Sequence, residues 1–279
     1  MSRLRECNRS PAQASGKVMR ILNGLNTGVK PSVSSGGALM IPVNSRKIVR
    51  VLCGILFLLV LANMVVVVIK HKTGHDNIYG IVPLFLLNQE SNIPTYVSSF
   101  NLLLASVLLG VITRFKRNQR DAYTGQWAFL AFLFLYFSLD ETACIHELLN
   151  KPLLVWLGPQ GPLLRGTMLF AWVILAVPLV LIFAVLFLRF LLALPPKSRF
   201  LFALAGFSYV GGGIAIELVT ALIADRYGGG TLAYSLATTL EETMEMAGVV
   251  LFIYALFDYI GTHLHLQGVQ LLVHKSQFE

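Results

Sequence analysis

The sequence has little charge and little cysteine. Only 13% of its 279 residues are charged, whereas a soluble globular domain carries about 25%. Three cysteines are too few for the disulfide framework of a small secreted protein. With 56% hydrophobic residues and a mean hydropathy of +0.70, the chain is too apolar to be intrinsically disordered. The composition therefore predicts a multi-pass membrane protein.

Long apolar runs account for most of the chain. A helix needs about 20 predominantly apolar residues to cross the hydrocarbon layer of a bilayer. Six runs qualify: Val51–Ile69, Val97–Ile112, Trp127–Ile145, Met168–Leu188, Phe200–Ile223 and Leu236–Ile260. They predict an all-α, polytopic integral membrane helix bundle of about six transmembrane helices over residues 46–262. A disordered basic tail is expected over residues 1–45 and a short cytoplasmic tail over residues 263–279.

The basic residues are concentrated on one side of the predicted spans. Seventeen of the 22 Lys and Arg residues lie in the two tails and in the loops after spans two and four. Because cytoplasmic loops carry an excess of Lys and Arg, both termini are predicted to be cytoplasmic, and a bacterial inner (plasma) membrane is the predicted location. The same asymmetry accounts for the net charge of +8, so no nucleic-acid partner is predicted. Membrane lipids and a lipophilic small molecule are the expected partners.

Two loops on the opposite side are unusually apolar. The first, between His71 and Tyr96, contains the run Ile78–Leu87, and the second contains the run Leu153–Leu164 with Trp156. Runs of about 10 to 14 apolar residues are commonly interfacial or re-entrant. These loops are predicted either to pack on the helix ends or to form a lid over a site that opens to the outer leaflet.

Acidic residues are scarce, yet half of them are assigned to the spans. Seven of the 14 fall in three spans: Asp140, Glu141 and Glu147 in the third, Glu217 in the fifth, and Glu241, Glu242 and Glu245 in the sixth. A mid-helix Asp costs about 2.5–3.5 kcal/mol on insertion scales, so such residues are functional candidates. With a rise of 1.5 Å per residue, Asp140, Glu217 and Glu242 are expected roughly 8–9 Å below the outer helix ends, at a common level.

Helical phase predicts which of these residues face one another. An uninterrupted helix places Asp140, Cys144 and Glu147 within about 60° of one another and turns His146 about 120° away from Asp140. Residues 211–213 of the fifth span are glycines, and their missing side chains permit a neighbouring helix to approach closely. The acids of three helices are therefore expected to converge.

The predicted site needs neutralising charge, because no Lys or Arg lies in the three spans at its level. Protonation or a bound cation would supply it. Oxygen ligands suit hard divalent ions, and a histidine would admit iron or zinc. The candidate catalytic residues are Asp140, Glu217 and Glu242. The candidate ligands of a divalent metal cation of unknown identity are Asp140, His146, Glu147, Glu217, Glu241, Glu242 and Glu245, with Glu141 and Cys144 as secondary candidates.

Three functions fit these features, and the sequence leaves open whether the protein is an enzyme. The first is a cation-dependent site that acts on a lipid or lipid-soluble substrate, in which a metal polarises an oxygen or activates water and a glutamate serves as acid or base. The second is a proton- or cation-coupled transporter of a small molecule, because buried acids are typical of proton relays. The third is a structural or partner subunit in which the acids hold the helices together.

Three short strings carry a resemblance to known sequences. They are Asn92–Thr95 (NIPT), Ser138–Glu141 (SLDE) followed by His146 and Glu147, and Glu241–Glu245 (EETME). In these strings the chain resembles a set of uncharacterised bacterial multi-pass membrane proteins with no established activity, over spans one to six and not the tail. The resemblance implies a bacterial inner-membrane setting and no particular reaction.

Overall fold

The chain forms two compact units in a computed structural model that describes residues 38–41, 45–157, 172–264 and 269–272. The first unit contains strands β1 (Ala38–Ile41) and β2 (Val269–Leu272), which pair antiparallel with Ala38 opposite Leu272. Sequence analysis assigned both segments to tails, because runs this short carry no recognisable periodicity. The boundaries of the two tails stay predictions.

The second unit, residues 44–266, is built from helices. In the described residues the helices are α1 (Ser45–Thr73), α2 (Ile81–Phe85), α3 (Ile93–Asn118), α4 (Thr124–Ala143), α5 (Asn150–Leu157), α6 (Val173–Ala193), α7 (Pro196–Val210), α8 (Glu217–Tyr227) and α9 (Leu232–His263). A 3-10 turn (His146–Leu149) follows α4, and a π-helical segment (Gly211–Ile216) joins α7 to α8.

Five helices in the described residues are long and apolar enough to cross a membrane: α1, α3, α6, the continuous helix α7–α8 and α9. Helix α4 has 20 residues but carries two acids in its last turn and is not among the five. The count of about six spans and the orientation of the termini therefore stay predictions. The predicted third span ends earlier than expected, because Cys144 has a left-handed backbone (φ 51°) that terminates α4 at Ala143. The predicted start of the fourth span, Met168, lies outside the described residues.

The first apolar loop packs into the helical unit. The backbone N–H of Leu87 donates a hydrogen bond to Asn63 Oδ1 at 3.0 Å, and Asn63 Nδ2 donates to Thr239 Oγ1 at 2.8 Å. The Leu87 side chain packs against Leu59 and Met246 in a buried cluster. The loop therefore contacts α1 and α9 well inside both helices, whereas the packing interpretation had placed it on the helix ends. The second apolar loop lies largely outside the described residues.

An aromatic core anchors the first turn of α4, at the opposite end of that helix from its acids. The Trp127 side chain is only 1% exposed. Its ring meets Phe190 of α6 and Phe202 of α7 edge-on, with centroids 4.9 and 5.9 Å apart. Such aromatic contacts contribute about 0.5–1.5 kcal/mol beyond the burial of area. This packing holds one end of α4, and at the other end Glu141 lies within electrostatic range of Glu242 and Glu245 on α9.

Candidate functional site

Glycines allow the π-helical segment to contact α9 directly. A Cβ at Gly212 would lie 2.8 Å from the backbone oxygen of Glu241 and 2.9 Å from Glu245 Cγ. A Cβ at Gly213 would lie 3.0 Å from Glu245 Oε1. Only glycine fits at Gly212, where the nearest atom belongs to the backbone of α9, and this confirms the predicted close approach. Sequence analysis did not predict the π-helical geometry, which is found frequently at functional sites.

Glutamates from α4, α8 and α9 lie within electrostatic range of one another. Glu242 interacts with Glu141, Glu217 and Glu241, and Glu245 interacts with all four of these residues. We call these five residues the interhelical glutamates. In the part of the chain that the structure describes, the charged groups that act on Glu242 and Glu245 are all carboxyl groups.

Neutral side chains donate hydrogen bonds to several of the interhelical glutamates. Trp172 Nε1 donates to Glu217 Oε1 at 2.9 Å, and Thr220 Oγ1 donates to Glu241 Oε2 at 2.9 Å. Glu217 itself is 5% exposed. Glu141 has a hydrogen-bonding contact with the side chain of Ser98 on α3. These donors hold the carboxyl groups in place without neutralising their charge.

Asp140 is bound to His146 through both carboxylate oxygens. The backbone N–H of His146 donates to Asp140 Oδ1 at 2.8 Å, and His146 Nδ1 donates to Asp140 Oδ2 at 2.8 Å. The prediction that His146 turns away from Asp140 was therefore wrong. It extended helical phase beyond Cys144, where the left-handed backbone reverses the chain and returns the imidazole to the last turn of α4.

The same helix end removes the basis of the predicted face shared by Asp140, Cys144 and Glu147, because α4 does not continue to Glu147. Cys144 lies at the helix end with its N–H bonded to the Asp140 carbonyl at 2.7 Å. The backbone of Glu147 lies in the 3-10 turn, and its side chain is outside the description. The predicted common depth also changes, because Glu217 lies about 15 Å from the end of α8 and Glu242 about 15 Å from the start of α9 at 1.5 Å per residue. Asp140 lies only in the last turn of α4.

Residues 52–260 match the family described as a domain of unknown function, DUF8692. The chain belongs to the DUF8692 family. The match contains all five interhelical glutamates and leaves out the first 51 residues. No curated protein and no solved structure matches the chain. Membership of DUF8692 agrees with the resemblance to proteins without an established activity, while the bacterial inner-membrane location stays a prediction.

The metal site expected for this DUF8692 domain has no support among the described residues. No group of three or more His, Cys, Asp and Glu side chains there could hold a metal ion. The predicted ligands Glu217, Glu241, Glu242 and Glu245 are brought into electrostatic range instead. The predicted ligands Asp140 and His146 form hydrogen bonds with each other.

Sequence analysis missed several polar residues of the DUF8692 domain that surround these acids. Trp172 connects two parts of the site, because its ring meets His146 edge-on at 4.9 Å while its N–H binds Glu217. Tyr234 contacts Asn88 and interacts electrostatically with Glu217 and Glu241. The indole N–H of a tryptophan usually finds a partner when buried, and this was the available signal for Trp172.

Proposed function

We propose that this protein is a proton-coupled membrane carrier for a small molecule, and that the interhelical glutamates bind and release the coupling protons. One observation carries the proposal. Glu242 and Glu245 lie within electrostatic range of other carboxyl groups. In the described ranges, no ion pair with Lys or Arg involves Glu141, Glu241, Glu242 or Glu245.

Electrostatic repulsion makes proton binding the simplest source of neutrality. Carboxylates that share a poorly hydrated site cannot all ionise without a large penalty, so neighbouring groups hold protons between them and release them as a unit. Other titratable groups of the described residues also act on the site: Tyr209 of α7, Tyr234 of α9, Asp140 at the end of α4, His146 beyond it, and Glu90 of the first loop. Groups of this kind within membrane helices are typical of proton relays.

The helix that contains the π-helical segment supplies an element that can adjust its shape. A π-helical stretch inside a long helix is a frequent hinge or functional site. Here it lies against Glu245 and leads directly into Glu217 at the start of α8. A change in the protonation of Glu245 would therefore act on the segment that joins α7 to α8, which is the coupling that a carrier requires.

Infrared spectroscopy tests whether the interhelical glutamates hold protons. The purified protein in lipid should show the C=O band of protonated carboxyl groups at neutral pH, and Glu242→Gln should remove part of it. Asp76→Asn is the matched control, because Asp76 is an exposed partner of Lys70 (N–O distance 3.1 Å). A spectrum without this band, or one in which both variants behave alike, would contradict the proposal.

Vesicle measurements test the coupling itself. Proteoliposomes loaded with a pH-sensitive dye should acidify in the presence of a transported compound from a metabolite mixture, and Glu242→Gln should abolish this signal while insertion into the membrane is unchanged. Equal loss of folding in Glu242→Gln and Glu245→Gln would instead favour a structural role for the acids.

A cation-dependent site that acts on a lipid is the second candidate. The observation that favours it is the Asp140–His146 pair, because metal-binding histidines commonly donate their second ring N–H to a carboxylate. Elemental analysis of chelator-washed protein, after resupply of common divalent ions, separates the two candidates. A near-stoichiometric metal that is lost in Asp140→Asn would support the cation-dependent site and would argue against proton binding alone.

A further inference from the structure

An apolar groove lies between α4 and α6, near the end of α4 opposite Asp140. Its volume is about 470 Å³, within the range of about 300–1,000 Å³ that is typical of small-molecule sites. Gly125, Gln126 and Phe129 line it from α4, and one face of α6 between Leu179 and Phe187 lines it from the other side. The groove shares no lining residue with the interhelical glutamates.

Aromatic rings form the floor of this groove. The Phe129 ring lies 5.5 Å from Phe187 and 6.4 Å from Phe183, and the Phe183 and Phe187 rings stack at 4.3 Å. The walls remain open to the surroundings, since Ile182 is 56% and Leu186 69% exposed. On a helix long and apolar enough to cross a membrane, such side chains face lipid.

A polar and a basic residue lie near one end of the groove. Gln126 lies in the first turn of α4. Arg189 lies three residues after Leu186 and seven after Ile182 on α6, so its Cβ lies beyond the lining residues, at the Ile182 edge of the face that lines the groove. Arg189 is exposed, and none of the ion pairs within the described ranges includes it. It is located one turn before the end of α6 at Ala193, where a lipid headgroup would lie.

We infer that this groove binds an anionic phospholipid of the surrounding membrane. One acyl chain would lie on the aromatic floor, and the headgroup phosphate would bind Arg189 and Gln126. A guanidinium matches the geometry of a phosphate through two parallel hydrogen bonds, and its aliphatic stem can extend along the apolar wall. The groove therefore provides a surface for the acyl chain and polar partners for the headgroup of such a lipid. The inference is independent of the proposed transport function.

Native mass spectrometry of the full-length protein tests the headgroup preference. Phosphatidylglycerol and phosphatidylcholine with identical chains would be titrated separately into the detergent-solubilised protein. The wild type should retain phosphatidylglycerol preferentially, and Arg189→Gln should lower that preference roughly fivefold, the effect of about one basic residue near a membrane surface. Arg50→Gln is the matched control, because Arg50 is exposed on α1 and its Nε donates a hydrogen bond to the carbonyl oxygen of Arg46 in the same helix.

A groove-filling variant tests the position of the acyl chain. Gly125 lines the groove, and a Cβ at this position would meet no atom within 4 Å, so Gly125→Leu would extend an apolar side chain into the space of the acyl chain. It should abolish retention of both lipids, whereas Gly206→Leu, at an equally open and exposed position on α7, should leave retention unchanged. Thermal unfolding in the same detergent would show that both variants are folded.

Three results would overturn the inference. The first is equal retention of the two lipids by the wild type, and the second is unchanged retention in Gly125→Leu. The third is a dimer in which Ile182→Cys forms a disulfide between two copies, because a second chain would then cover the groove. If Gly125→Leu fails to fold, the comparison of Arg189→Gln with Arg50→Gln decides the question.

Discussion

Replacing Gly248 with alanine would disturb a close contact between the backbones of α7 and α9. A Cβ at this position would lie 2.8 Å from the backbone nitrogen of Tyr209 and 2.9 Å from the carbonyl oxygen of Ala205. Both atoms belong to the backbone of α7, so no side-chain rotation can make room. The two helices would have to separate by about 0.6 Å to restore an ordinary contact distance of about 3.4 Å.

The expected cost follows from overpacking at a helix interface. Inserting a methyl group into a well-packed interior typically costs about 1–3 kcal/mol. Alanine also has a higher helix propensity than glycine, by up to about 1 kcal/mol. We therefore expect Gly248→Ala to lower the free energy of unfolding by about 1–2 kcal/mol.

Gly206→Ala provides the matched control on α7. Its Cβ would meet nothing within 4 Å, so only the gain in helix propensity applies and the variant should be stabilised by up to about 1 kcal/mol. The propensity term cancels when the two variants are compared, and their difference isolates the cost of overpacking. Titration of the detergent-solubilised protein with SDS, followed by circular dichroism, would measure both unfolding free energies. The packing argument fails if the two variants change stability in the same direction by the same amount.

Three further predictions concern the first apolar loop, the end of α4 and the ion pair between Lys116 and Asp121. Asn63→Ala should cost about 1–3 kcal/mol, because it leaves the buried N–H of Leu87 without its acceptor; hydrogen exchange should rise in residues 81–92 and would stay unchanged if the loop were held by apolar contacts alone. Cys144→Gly should raise the melting temperature, since a left-handed backbone costs a non-glycine residue about 1–2 kcal/mol, and a lower melting temperature would show that the thiol makes the larger contribution. Burial opposes ionisation of Asp121, but hydrogen bonds from Lys116 and from a backbone amide hold the pKa of this carboxyl below its usual value. Its contribution to stability is therefore present above about pH 4 and is lost as the pH falls through the lowered pKa; thermal unfolding at acid pH should show a smaller pH dependence in Asp121→Asn than in the wild type.

Much of the helical architecture and part of the site follow from the sequence by itself. Long apolar runs predict helices, because in the hydrocarbon layer of a membrane the backbone N–H and C=O groups must form their hydrogen bonds within the protein. Helices α1, α3 and α9 contain the spans predicted for them. Glycines 211–213 predict a close helix contact because a missing side chain is a local property of the sequence. The acids of α8 and α9 were also identifiable, since an ionisable residue in an apolar helix is conspicuous without any knowledge of its partners.

Only the tertiary structure decided which polar groups meet. His146 binds Asp140 because the backbone leaves the helix at Cys144, and a periodic extrapolation cannot detect a single left-handed residue. Trp172 binds Glu217 although the two residues are distant in sequence, and β1 pairs with β2 from the opposite end of the chain. Helical periodicity is set by neighbours within a few residues, whereas these contacts depend on how whole helices pack, and packing is determined by the shapes of all the side chains together.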